Sequence, residues 1–115
     1  MALLGAEANP GYAAAINCAG AAMAWGHNPV LQQRLQEAVR RISIPVFLLQ
    51  AENDYNLEPT RVLGELFRRL GKPVKIRIYP AFGPNRIGAG HAICGGGTHI
   101  WAADALAFLS SPDHS

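Results

Sequence analysis

Residues 44–50, Ile-Pro-Val-Phe-Leu-Leu-Gln, form an unbroken apolar run of strand length, and no other feature limits the fold of this chain so strongly. A strand with one wet face alternates apolar and polar residues. A run without alternation needs cover on both faces, as strands of parallel α/β sheets have. The flanks agree. Asn28-Pro29 opens a helix, with Asn28 as its N-cap and Pro29 at the first helical position. Val30, Leu31, Leu35, Ala38, Val39 and Ile42 recur at helical spacing, and Arg40-Arg41 close the helix. After the run comes a polar loop, residues 51–56. A second helix then begins at Pro59, with Val62, Leu63, Leu66, Phe67 and Leu70 as its apolar stripe and Gly71 as its stop.

Two further strands are expected. Residues 73–79 alternate apolar and basic side chains, which suits an edge strand with one exposed face; Lys75 there discourages edge-to-edge pairing. Residues 12–17, Tyr-Ala-Ala-Ala-Ile-Asn, read as a buried strand of small residues after a short helix over residues 1–8. Residues 18–27 and 80–98 read as Gly-rich loops. Thr98 caps a last helix whose Ile100, Trp101, Ala105, Phe108 and Leu109 face the core. Strands alternating with helices predict an α/β unit, a three-stranded parallel sheet flanked by helices with right-handed crossovers. The chain has 115 residues, which suits one domain.

Composition excludes several classes. Half the residues are hydrophobic and 16% are charged, so the chain has enough apolar surface to fold rather than stay disordered. The net charge is +2. Its clustered cations, Arg40, Arg41, Arg68, Arg69 and Lys72, fall near helix ends, where they complement the helix dipole. No aromatic-plus-basic stripe accompanies them, so no nucleic-acid partner is expected. No apolar stretch is long enough for a membrane span, and residues 1–11 lack the basic region of a signal peptide. Two cysteines, Cys18 and Cys94, make no disulfide framework. Reduced thiols and a cytoplasmic location are the expectation.

Taken in order, the Ile44–Asp54 stretch (Ile-Pro-Val-Phe-Leu-Leu-Gln-Ala-Glu-Asn-Asp), the strand Val-Lys-Ile-Arg-Ile-Tyr-Pro from Val74, Gly90-His91, and Trp101-Ala-Ala-Asp-Ala-Leu-Ala-Phe-Leu109 resemble the C-terminal half of an α/β-hydrolase of the dienelactone hydrolase-like branch. The resemblance implies that Asp54 stands where the family has its triad acid and His91 where it has its base, with Glu52 and His99 as rival positions. The family's nucleophile elbow, G-x-S-x-G, has no counterpart here. Met1-Ala-Leu-Leu resembles the helix that follows the elbow, so the unit is expected to be a truncated one lacking the early strands. Its first strand then wants a neighbour, and a homodimer pairing two first strands across a two-fold axis is expected.

Three chemistries follow. A histidine oriented by a carboxylate accepts protons near neutral pH, so the Asp54–His91 pair implies hydrolysis of a small ester-like substrate, carboxylic or phosphoric, by activated water. Trp25 and Tyr55 are candidates to line the substrate site. Alternatively, a subset of Glu52, Asp54, His91, Cys94 and His99 could ligate zinc, whose bound hydroxide would attack. Cys94, three residues after His91, and Ser43 are weaker nucleophile candidates. Gly95-Gly96-Gly97-Thr98 before a helix is a candidate anion site without the lysine of a P-loop. The competing reading is a catalytically inactive fragment acting as an assembly or binding module.

Overall fold

The computed structural model describes residues 2–9, 11 and 13–110. Tyr12, expected in the first strand, and His114, in the tail, lie outside the described residues. The described elements are α1 (Ala2–Ala8), β1 (Ala15–Cys18), α2 (Pro29–Arg41), β2 (Val46–Ala51), α3 (Glu58–Arg69), β3 (Val74–Tyr79), α4 (Ile93–Gly96) and α5 (Thr98–Ser110). Single 3-10 turns occupy Trp25–His27 and Ala89–Ala92. The strands form one parallel sheet in the order β1-β2-β3.

β2 lies between the other two strands, and all six of its residues are buried. The pleat sends Val46 and Leu48 to one face of the sheet, where they pack with Leu35, Val39, Leu63, Phe67 and Val74 from α2, α3 and β3. Phe47, Leu49 and Ala51 go to the other face, against Tyr79, Ile93, Ala105 and Phe108. The Phe47 and Phe108 rings pack at 5.6 Å between centroids. The sheet is therefore sandwiched between α1–α3 and α4–α5, which explains why its central strand shows no polar alternation.

Local signals act as expected at several ends. Asn28 Oδ1 accepts the Leu31 amide at 3.0 Å, and Pro29 opens α2. At the other end of α2, Lys72 Nζ donates to the carbonyls of Val39, Arg40 and Ile42 at 2.6–2.7 Å. A cation from the α3–β3 turn thus closes the α2 C-terminus, where the helix dipole favours positive charge. Burial lowers the pKa of this amine below the ordinary lysine value. Gly71 takes φ +68° just after α3, a left-handed conformation that glycine adopts without a steric penalty.

Other expectations are corrected. Val30 is 78% exposed, because it stands in the first turn of α2, ahead of the residues that reach the sheet. Leu70 is also exposed, at the C-cap of α3. On α5, Ala105 and Phe108 are buried, whereas Ile100, Leu106 and Leu109 are exposed. This helix is apolar nearly all round, so periodicity could not say which stripe would be covered. The 80–98 segment is not loop throughout, since it holds a 3-10 turn, α4 and the start of α5.

The largest correction concerns the cysteines. Cys18, the last residue of β1, and Cys94, in α4, are joined in a disulfide with Cα atoms 5.8 Å apart. The two residues are 76 positions apart in the chain, and only the layering of α4 over the sheet makes them neighbours. Alkylation of the unfolded protein without reductant should therefore add no mass. The C18A/C94A double variant should lose about 2–5 kcal/mol of unfolding free energy in urea titrations, as expected for opening a long covalent loop.

Candidate active site at the C-terminal end of the sheet

In parallel α/β sheets the loops beyond the strand C-termini gather chemistry-bearing side chains. Here the turn after β2 supplies Asp54 and the 3-10 turn after β3 supplies His91. His91 Nδ1 and Asp54 Oδ1 are 3.0 Å apart. The Asp54 side chain is fully buried, and the His91 side chain is 39% exposed. A buried carboxylate stays charged only if donors meet it. Asp54 has three: its Oδ1 also accepts the Tyr55 amide at 2.7 Å, and its Oδ2 accepts Gln50 Nε2 at 3.0 Å. In the tautomer with Nδ1–H donating to Asp54, Nε2 is the acceptor nitrogen of the ring.

Asn53 holds the two loops together. Its side chain accepts the Phe82 amide and donates to the Phe82 carbonyl, both at 2.9 Å. Its backbone carbonyl accepts the Gly88 amide at 2.7 Å and the Gly90 amide at 3.4 Å. The His91 amide in turn donates to the Gly88 carbonyl at 3.1 Å. Gly88 has φ +91° and leaves no room for a Cβ beside the Tyr55 ring. At Gly90 a Cβ would collide with Asn53 Oδ1 and sit 2.9 Å from Ala51 Cβ. Gly88 at the start of this turn and Gly90 within it thus let it approach the β2 turn closely enough for His91 to reach Asp54.

The other candidates separate clearly. The Tyr55 ring lies beside His91 with centroids 5.6 Å apart, and Tyr55 is half exposed. Trp25, expected at the same site, is only 5% exposed and packs in the core on the α1–α3 face. The apolar ring was buried because the segment after β1 folds back toward α2, with the Trp25 amide on the Ala21 carbonyl. Glu52 and His99 are exposed, and neither side chain joins the Asp54–His91 pair. Cys94 sulfur is committed to the disulfide and is not a thiolate ligand or nucleophile. Among the described residues, no group of three or more His, Cys, Asp or Glu side chains is placed to hold a metal ion. The zinc set of Glu52, Asp54, His91, Cys94 and His99 is therefore not assembled. Ser43 precedes β2 at its N-terminal end. A six-residue strand spans about 20 Å, which separates Ser43 from the opposite end of the sheet.

Sequence reasoning missed Gln50, Asn53 and Gly88, and took Gly90 only as part of the Gly90-His91 resemblance. Gln50 did carry a signal, as the lone polar side chain of the apolar run. Asn53 carried none beyond its turn preference, because its partners lie about 30 positions downstream.

Gly90→Ala should cost about 1–3 kcal/mol in stability, as overpacking does. Gly95→Ala serves as control, since a Cβ there meets nothing within 4 Å. Urea unfolding of both variants checks the contrast, and equal stabilities would contradict the close approach of the loops. Comparison of the chain with protein-family models gives no match. Comparisons with curated proteins and with solved structures give no match either.

Proposed function

We propose that the chain hydrolyses ester-like bonds, carboxylic or phosphoric, with His91 as general base on water and Asp54 as the group that orients it. The observation that carries this reading is the 3.0 Å Nδ1–Oδ1 contact between a half-exposed imidazole and a fully buried carboxylate. The resemblance to the dienelactone hydrolase-like branch supports the same two residues.

In the proposed reaction, His91 Nε2 takes a proton from water as the water oxygen attacks the carbonyl carbon or phosphorus. The bond to the leaving oxygen breaks, and His91 returns the proton to that oxygen. An acid and an alcohol are released. Asp54 keeps Nδ1 protonated and stabilises the transient imidazolium. Tyr55, beside the imidazole, offers an apolar wall to a small substrate. His91→Ala should lower turnover of aryl acetates and aryl phosphates by the purified protein by at least 100-fold, in keeping with the usual size of general-base effects. Undiminished turnover in that variant would end the proposal.

A second reading, assembly through β1, has its own observation. The Ala15 and Ala19 amides donate to the carbonyls of Pro45, just before β2, and Leu49, within it. Strand alternation therefore turns the Ile16 and Cys18 backbone groups to the outer edge, where a second copy could pair. Ala13, two residues ahead of β1, is exposed. If two copies pair there, the wild type runs as a dimer in light scattering and Ala13→Lys as a monomer; an unchanged monomeric mass removes the reading. No helix among the described residues is long and apolar enough to cross a membrane. The cytoplasmic location suggested by composition would require reduced thiols, whereas the Cys18–Cys94 bond favours an oxidising compartment.

A further inference from the structure

Gln50 is fully buried within a strand whose other five residues are Val46, Phe47, Leu48, Leu49 and Ala51. A polar side chain there is costly. Its Nε2 donates to Asp54 Oδ2 at 3.0 Å and to the Asn56 carbonyl at 2.9 Å. Both partners are acceptors, so the orientation of the amide is fixed. The remaining oxygen, Oε1, has no hydrogen-bond partner among the described residues. A buried acceptor left in this way costs about 1–3 kcal/mol, which a leucine at the same position would not incur. The stability of the sheet does not account for a glutamine here, but the carboxylate beside it does.

We infer that Gln50 is a positioning residue for the Asp54–His91 pair, an inference that rests on the proposed hydrolytic role of that pair. Asp54 Oδ1 takes both His91 and the Tyr55 amide, whereas Oδ2 is held by Gln50. With the second oxygen clamped, the carboxylate cannot rotate about its last bond, and Oδ1 stays aimed at Nδ1. Gln50 also ties the same turn to Asn56, whose Oδ1 accepts the Glu58 amide at the start of α3. The clamp thus joins β2, the Asp54 turn and α3.

Two variants test this. Gln50→Leu removes the donor and keeps the approximate volume. Gln50→Glu keeps the shape and places a second carboxyl beside Asp54. Two carboxyls at this separation share one proton, so the clamp survives at acid pH and fails as pH rises. The first readout is the low-field Nδ1–H proton resonance of His91 in nitrogen-15 histidine-labelled protein, which reports the bond to Asp54 whether or not the protein turns over esters. The second is kcat and KM for an aryl acetate across pH.

For Gln50→Leu, the resonance should be lost or broadened and kcat should fall ten- to a hundredfold, with KM within twofold of wild type. For Gln50→Glu, the resonance should persist at acid pH and be lost as pH rises, and kcat should fall below that of the wild type as pH rises, a limb absent from the wild type; at acid pH both proteins lose kcat because protonation removes the His91 base. A folded Gln50→Leu protein with the wild-type resonance would overturn the inference. If that variant does not fold, a pH-independent, wild-type-like resonance in Gln50→Glu overturns it instead. A wild type without ester turnover removes the hydrolase reading alone, because the resonance still judges whether Gln50 holds Asp54 on His91.

Discussion

Burial of β2 on both faces is the constraint from which the rest of the architecture follows. Six consecutive buried residues demand a strand on each side and a helical layer above and below. Once α2 and α3 cover one face and α5 the other, every strand runs in the same direction, and all connecting turns after the strands collect at one end. Asp54 and His91 meet there because the sheet is parallel. An antiparallel arrangement of the same three strands would have put their turns at opposite ends.

The site is built on that end by short-range polar contacts. Asn53 grips the backbone after β3, and the small residues Gly88 and Gly90 let that backbone come close. Gln50 reaches from the strand itself to the second oxygen of Asp54. The disulfide from Cys18 to Cys94 then fastens the segment that follows His91 to the edge strand β1. Three independent ties converge on the segment that carries one imidazole, which holds its Nδ1 on Asp54 while the side chain stays 39% exposed. The Tyr79 hydroxyl and the Arg77 guanidinium, both reaching Asp104 from β3, perform a similar fastening between β3 and α5. Burial and the neighbouring Asp104 carboxylate both push the Tyr79 phenol well above its ordinary pKa, so it remains a donor to that carboxylate throughout the working pH range.

How much of this was legible beforehand depends on whether the information is local. The Asn28 cap, the Pro29 start, the Gly71 stop and the β2 run are each decided by a few adjacent residues, and the structure places them where their chemistry suggests. Asp54 and His91 were singled out through the family resemblance, and the structure brings them to 3.0 Å of one another. Side-chain exposure was less so. Val30 has the helical spacing of its buried neighbours yet points to solvent, and α5 is so uniformly apolar that Leu106 and Leu109 could not be told from Phe108.

The sequence by itself determined the alternation of strands and helices, the parallel class of the sheet and the chain segments that supply Asp54 and His91. These are properties of period, cap and breaker, and they act over one or two turns. Only the tertiary structure decided that Cys18 meets Cys94, that Trp25 belongs to the core rather than the site, and that Gln50 and Asn53 hold the pair in place. Those outcomes depend on which face of the sheet a side chain takes and on contacts between segments tens of residues apart. No local pattern encodes such distances; the layering of the helices on the sheet sets them.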